Sequence, residues 1–432
     1  YPGMGSGHPD LYKAFCWRFW HLAAPEGGRI GVVLPRSALA AKGGAEFRLQ
    51  ALLAAKHVEV TMLLNNKQWM FPEVHPQYTI ALVSAARGAT VGGMLELRGP
   101  YASLHAYRAG AVREPVVFPA AEVRSWNESA ALPLLPSEQS AVVFTKLRRS
   151  PRFDQAGVDV WVARPLQGDL NATVGRPLMD FDATPDETRW PVYGGESFDL
   201  WTPDTGKIYA VADAKKVCEH LQERRVSSAR NRTSAFAAFQ KAVIGDPATL
   251  PCRHARIAFR DVSRATDTRT VRACLIPPEL FLVHNAPFLL WPCGDNADEA
   301  YMLGTMCSLP FDWYARRFVE THLTFDFLTS FPVPAAERAS PLRKRVVDCA
   351  GQLASQDRRF TTWAKPLGLK PRKLAADEQA DLIAELDAAV AHLYGLAEAD
   401  LVHIFETFHE GWDYQDRLDA TLKHFARLRS IA

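Results

Sequence analysis

The chain lacks any run of about 18 uncharged apolar residues, the length a helix needs to cross a bilayer. Its opening, YPGMGSGHPDLYKAF, also lacks the basic-then-apolar layout of a secretory signal. No CxxC pair occurs: the seven cysteines, at 16, 218, 252, 274, 293, 307 and 349, are dispersed and odd in number. That pattern reads as reduced, mostly buried thiols in a cytoplasmic protein with no zinc site and no membrane partner. The thirteen histidines do not cluster at ligand spacing, so no metal is expected. Net charge is only +2 over 432 residues, which excludes a uniformly basic surface. There is no internal repeat.

What is present suits a folded protein of two or three domains. Apolar residues make up 48% of the chain, enough for a sizeable core. Residues 10–24 place Leu11, Phe15, Phe19 and Leu22 on one helical stripe after Asp10, a candidate N-cap. The opening GMGSG is read as a flexible loop rather than a phosphate cradle, because no strand precedes it. RIGVVLP (29–35) is an apolar run of the type found in buried strands of a parallel sheet, and 44–56 reads as a helix. HVEVTMLL and YTIALVSA then read as strands around the loop NNKQWMFPEVHPQ. This alternation fits half of a doubly wound α/β domain.

Residues 101–136 shift towards Gly, Ala and Pro and read as a connector. Residues 137–334 mix short strands, Trp and Pro-rich turns with a helix at 213–225, an α+β composition. Residues 335–432 are helical by period, with Gly395 as a C-cap, and are a candidate docking segment for partner subunits. Met302, Met306 and Leu309 form a stripe read as core, and Asp295, Asp298 and Glu299 an acidic cluster read as helix caps.

Charge is focused in residues 253–278, RHARIAFRDVSRATDTRTVRACLIPP. Six arginines stand against Asp261 and Asp267 between 253 and 272, a local balance of +4. Alternation of Ile257 and Phe259 with Ala258 and Arg260, and of Val271, Ala273 and Leu275 with Arg272 and Cys274, predicts a hairpin with one buried and one basic, exposed face. Arginine forks suit phosphate and guanine edges. The alternative is a solvated hairpin whose arginines pair with nearby carboxylates.

Several pieces resemble a family. GGRIGVVLPRSAL with Phe47-Arg48, then WMFPEVHPQYTIALVS, is similar to the back half of the catalytic domain of γ-type adenine DNA methyltransferases. The resemblance is to the large methylases of type IIG restriction-modification, BREX and DISARM phage-defence systems. WPVYGGESFDLW, DTGKIYA and ARIAFRDVSRATDTRTVRACLIPP resemble their target-recognition domain, HLTFDFLTSFPVP its closing strand, and AELDAAVAHLYGLAEADLVHIFETF their helical ending.

The resemblance implies an α/β fold: the C-terminal half of a Rossmann-like methyltransferase sheet (1–100), a connector (101–136), an α+β target-recognition domain (137–334) and a helical C-terminal segment (335–432). It implies adenine methylation in double-stranded DNA with S-adenosyl-L-methionine, in a restriction or phage-defence system, with no metal. The alternative is a noncatalytic specificity or scaffold subunit. Neither the acidic Gly-containing cofactor motif nor an (Asn/Asp)-Pro-Pro-(Tyr/Phe) motif occurs in these 432 residues, so the resemblance places those motifs upstream of residue 1. No PD-(D/E)xK nuclease pattern is present.

A base must leave the duplex to be methylated, which calls for an aromatic platform. The resemblance points to Trp69 or Phe71, followed by His75, Gln77 and Tyr78, with Tyr78 expected in the core. DNA contacts are expected from Arg253, Arg256, Arg260, Arg264, Thr266, Arg269, Arg272, Lys207 and Lys42, most of them to phosphate.

Overall fold

The computed structural model describes residues 10–76, 78–88, 93–155, 161–263 and 267–431. The chain is mixed α/β with a helical C-terminal region, and it divides into two compact units, Tyr1–Arg148 and Arg149–Ala432.

The first unit is built on a five-stranded mixed sheet of β1 (Arg29–Pro35), β2 (His57–Leu64), β3 (Thr79–Ala86), β4 (Met94–Tyr101) and β5 (Val116–Pro119), in the order β1-β3-β2-β4-β5. The expected strands at 29–35 and 57–64 are present, and the one expected at 78–85 runs over Thr79–Ala86. β1 differs in setting, because among the described residues it pairs only with β3, antiparallel, and forms an edge on which Val33 is 54% exposed. It is therefore not a doubly covered parallel strand. β3 also runs antiparallel to β2, and β2 runs parallel to β4. The chain directions of β1, β2 and β4 thus agree, and their carboxyl ends, Pro35, Leu64 and Tyr101, lie at one end of the sheet. Residues 101–136, read as a connector, contain β5, which is hydrogen-bonded to β4.

The predicted first helix spans Leu11–Leu22, but Asp10 makes no side-chain cap. Its apolar stripe faces outward: Leu11 is 75%, Phe15 51% and Leu22 64% exposed. The helix is seated instead by Cys16 and by Trp17, whose ring meets Phe47 edge-on at 5.6 Å. The helix expected over 44–56 is shorter, Ala45–Gln50, between two single turns.

Arg48 on that helix is fully buried. Its guanidinium donates to the carbonyls of Ser129 (3.0 and 2.7 Å), Ala38 (2.7 Å) and Ala41 (2.8 Å). Gly44 makes room, since a Cβ there would lie 2.7 Å from both the Ala38 carbonyl oxygen and Arg48 Nη1. One cation thus ties three chain segments together through carbonyl dipoles.

The second unit carries two sheets. One contains β6 (Val162–Leu166), β9 (Arg256–Phe259), β10 (Ala273–Ile276) and β12 (Phe288–Cys293) in the order β10-β9-β12-β6. The other contains β7 (Arg189–Tyr193), β8 (Ala210–Asp213) and β11 (Phe281–Leu282) in the order β11-β7-β8. The helix expected at 213–225 is Ala214–Ser228, capped by Asp213 accepting from Lys216 N. Helices Pro341–Ala354, Ala376–Leu393 and Glu398–Phe408 fall where the period put them, and Gly395 takes the left-handed φ of 67° that a helix end favours.

Met302, Met306 and Leu309 are buried core, as read. Asp295 and Asp298 form a reciprocal capping box on helix Asn296–Cys307. One expectation fails: HLTFDFLTSFPVP holds a helix, Phe325–Ser330, not a closing strand. Thr324 caps it, and Phe327 and Phe331 stack at 6.4 Å.

Arg48→Met removes donors from two buried carbonyls and one partly buried one, whose unsatisfied acceptors together cost about 3 to 5 kcal/mol. Denaturant unfolding of the variant is expected to show a loss of that size; a loss under about 1 kcal/mol contradicts the buried hub.

Candidate nucleic-acid interface

The hairpin exists. β9 and β10 pair antiparallel with Ala273 opposite Phe259 and Ile276 opposite Arg256. Its exposed basic face does not, because every residue of both strands is buried. Ala258, Cys274 and Ile276 pack with Phe288 on one side, and on the other Phe259 meets Phe325 at 6.3 Å. Period two was correctly read, but both faces are covered.

The arginines consequently divide into three groups. Arg256 is 4% exposed; its Nη2 lies 2.5 Å from Asp169, and its guanidinium lies 4.6 Å from the Phe288 ring centroid. Arg269 is 7% exposed, paired with Asp312, and donates to the Cys307 carbonyl at 2.6 Å. Burial pulls its pKa down, and the Asp312 carboxylate outweighs that, leaving Arg269 above its ordinary value. Neither reaches solvent, so the assignment of Arg256 and Arg269 to DNA is corrected: their partners Asp169 and Asp312 hold them inside.

Arg260 and Arg272 form the second group. Both are half-buried and share one carboxylate, Asp199, at 3.2 and 3.3 Å. Arg260 also donates to the Phe198 carbonyl at 3.0 Å. Glu196 and Asp267 also act on Arg260, so the patch mixes cations with carboxylates. The turn 194–207 closes this patch: Thr205 N donates to the Ser197 carbonyl at 2.9 Å and Thr205 Oγ1 to the Glu196 carbonyl at 2.6 Å. Lys207 pairs there with Glu196 at 3.1 Å, both largely exposed. An exposed pair of that kind contributes about 0 to 1 kcal/mol and is readily exchanged for another anion. The turn 194–207 thus meets Arg260 and Arg272, remote from it in sequence.

Arg253 is alone. It is exposed at the opposite end of β9 from Arg260, 5.7 Å over the Trp190 ring. Arg264 and Thr266 lie outside the described residues. Lys42 is exposed on the turn Lys42–Gly44 of the first unit.

Arg253 also lines a cavity of about 450 Å³ with His254, Arg359, Glu299 and Trp363. Glu299, read from sequence as a cap, instead accepts from Trp363 Nε1 at 2.7 Å. Burial pushes its carboxyl up to about 7, against that hydrogen bond.

In the first unit, the loop that follows β2 opens at the carboxyl end of the sheet. Asn65, fully buried, organises it: Nδ2 donates to the carbonyls of Phe71 and Val74 at 3.0 Å each, and Oδ1 accepts from Phe71 N at 3.2 Å. Lys67 and Gln68 hold left-handed φ values of 57° and 56°, a strained arrangement common at functional loops. Trp69 is half-buried and donates to the Leu64 carbonyl at 2.7 Å, so its ring is a prop of the loop. Phe71 is 39% exposed. Tyr78 is 56% exposed and sits edge-on to His75 at 6.0 Å, not in the core as expected, because it precedes β3 instead of joining it. Gln77 lies outside the described residues.

Sequence reading missed Asn65, although Asn at a strand end is a turn signal. It also missed Asp169, Asp199 and Asp312, which sit tens of residues from their arginines and carry no local signature. His57, Glu59 and Glu96 form a group whose ligand atoms lie within 4.8 Å of one another. Arg98 stands 3.4 Å from Glu59 within it.

No family model matches the chain, and no curated protein matches it in sequence. Among solved structures it is similar to the type IIL restriction-modification enzyme MmeI in complex with DNA, at 11% identity and a TM-score of 0.42, covering 92% of this chain and 51% of that one. It is also similar to the type IIG restriction endonuclease BpuSI (11%, TM-score 0.33, 91% and 50%). A third is the ATP-dependent type ISP restriction-modification enzyme LlaBIII bound to DNA (10%, TM-score 0.34, 81% and 27%). The chain spans about half the length of the first two structures.

The Glu299 carboxyl ionises near 4.5 in the unfolded chain and near 7 in the folded one. Between those values the folded state binds more protons, so this contribution to stability falls as pH rises from 4.5 to 7 and is level above. Glu299→Gln is expected to raise stability by on the order of 2 kcal/mol at pH 8 and by little at pH 4. Equal thermal shifts at both pH values contradict this.

Proposed function

We propose that this chain acts on double-stranded DNA as part of an S-adenosyl-L-methionine-dependent, adenine-specific methyltransferase of a restriction-modification or phage-defence system. The carrying observation is the patch in which Arg260 and Arg272 share Asp199 beside the weakly held Lys207. A phosphate can compete with Asp199 for these two guanidinium groups, and arginine forks bind it through two donors. Arg253 and Lys42 are further phosphate contacts in this reading, and Arg264 and Thr266 belong to the same hairpin in sequence.

The loop at 65–78 supplies the second part. Phe71 and Tyr78 present ring surface at the carboxyl end of a sheet, where α/β folds place ligands. Stacking an extrahelical adenine on such a ring contributes about 1 to 3 kcal/mol per base. Trp69 supports the loop from beneath. S-adenosyl-L-methionine supplies the methyl group in this reading. The 432 residues contain neither family motif for holding that cofactor and the adenine amine, so no step is assigned to them. The alternative is a noncatalytic specificity subunit whose segment 335–432 docks partner subunits. Transfer of labelled methyl groups to adenine by the natural protein separates the two.

Arg260→Ala with Arg272→Ala is expected to weaken binding of duplex DNA at least tenfold. The slope of log K against log salt should fall by about 1 to 2, since each lost phosphate contact removes about 0.9. Unchanged affinity and slope in a salt titration overturn the assignment. Phe71→Ala and Tyr78→Ala together should abolish the fluorescence rise of 2-aminopurine placed at the target adenine while the salt slope stays constant; a full rise in the double variant removes the stacking role.

A further inference from the structure

Cys218 and Cys252 stand 34 positions apart in the sequence, yet their Sγ atoms lie 3.8 Å apart. Cys218 is on the buried face of helix Ala214–Ser228, and Cys252 is in the single turn Pro251–Arg253. The sulfurs already touch, and a bond at about 2.0 Å leaves about 1.8 Å to close. Cys218 also lines a cavity of about 840 Å³ with Trp190, Lys215, Gln222 and Arg253, which gives a small oxidant a route to it.

The two thiols are not equivalent. The hydrogen bond shared with Cys252 draws the Cys218 thiol below its ordinary value; burial opposes this, the Arg253 charge assists and Asp169 opposes. Cys252 is driven up by the same hydrogen bond, by burial and by Asp169, with Arg256 opposing. Such an asymmetric pair supplies a reactive thiolate beside a resolving thiol.

We propose that Cys218 and Cys252 are an oxidation site at which a peroxide forms an intramolecular disulfide tethering helix Ala214–Ser228 to the turn that carries Arg253. The Cys218 thiolate attacks hydrogen peroxide; an S–O bond forms, the O–O bond breaks, and hydroxide leaves and is protonated to water. Cys252 sulfur then attacks the Cys218 sulfur, forming S–S and breaking S–O, and its proton leaves with the second water. Two thiols are oxidised and one peroxide is reduced to two waters. Cys293 is exposed, and Cys16, Cys274, Cys307 and Cys349 are buried with thiols pushed up chiefly by burial.

The test uses the full chain with a small molar excess of hydrogen peroxide, alkylation of remaining thiols, and peptide mapping without reduction. The expected result is a Cys218–Cys252 cross-linked peptide from single chains with an unchanged far-ultraviolet circular dichroism spectrum. It should revert with dithiothreitol and fall at least tenfold in Cys218→Ser and in Cys252→Ala, either of which serves if the other fails to fold. Oxidation confined to Cys293, with Cys218 and Cys252 recovered as free thiols, overturns the proposal, as does a cross-link that appears only in denaturant. The readout needs no nucleic acid, so it stands apart from the DNA reading.

Discussion

The second unit depends on what Asp312 does with its buried carboxylate. It pairs with Arg269 and accepts from the backbone N–H groups of Thr270 (3.0 Å) and Val271 (2.9 Å). Three donors on one acceptor group satisfy a charge that is otherwise costly to bury. The same helix, Leu309–Phe318, carries Arg316, which donates to Thr270 Oγ1 at 2.9 Å and to the Phe408 carbonyl at 2.7 Å. Asp387 then accepts from Leu309 N at 2.8 Å and pairs with Arg417. The hairpin, the helix behind it and the C-terminal helices are therefore one electrostatic structure, and the helical region is part of the frame that positions the hairpin.

That frame decides which arginines remain available to a ligand. Arg256 and Arg269 are spent on Asp169 and Asp312, whereas Arg260 and Arg272, at the tip side of the strands, compete for Asp199. A stretch that looks uniformly basic in one dimension thus folds into an interior lattice and a smaller outward patch. In the first unit the division is similar: Arg48 is spent on carbonyls, and Asn65 turns the loop so that Phe71 and Tyr78 face solvent.

Local patterns were legible in the sequence because they are set by near neighbours. The strands at 57–64 and 79–86, the helix over 214–228, the Asp295–Asp298 capping box and the hairpin pairing all follow from spacing and turn residues. What was not legible depends on contacts across long separations. Alternation in β9 could not reveal that Phe288 and Phe325 cover both its faces, nor could the stripe of Leu11, Phe15 and Leu22 reveal that it points outward. Asp169 lies 87 residues from Arg256, and Asp312 lies 43 from Arg269. For the candidate site, the sequence could not reveal that Arg256 and Arg269 lie inside the protein.

The central claim, that buried carboxylates fix the hairpin and so select its outward cations, is tested most directly by a double-mutant cycle on Arg269→Ala and Asp312→Ala followed by urea unfolding. A coupling energy above about 2 kcal/mol is the expected result, since each single change strands a charge that the double change removes. A coupling below about 0.5 kcal/mol, within ordinary additivity, would contradict it.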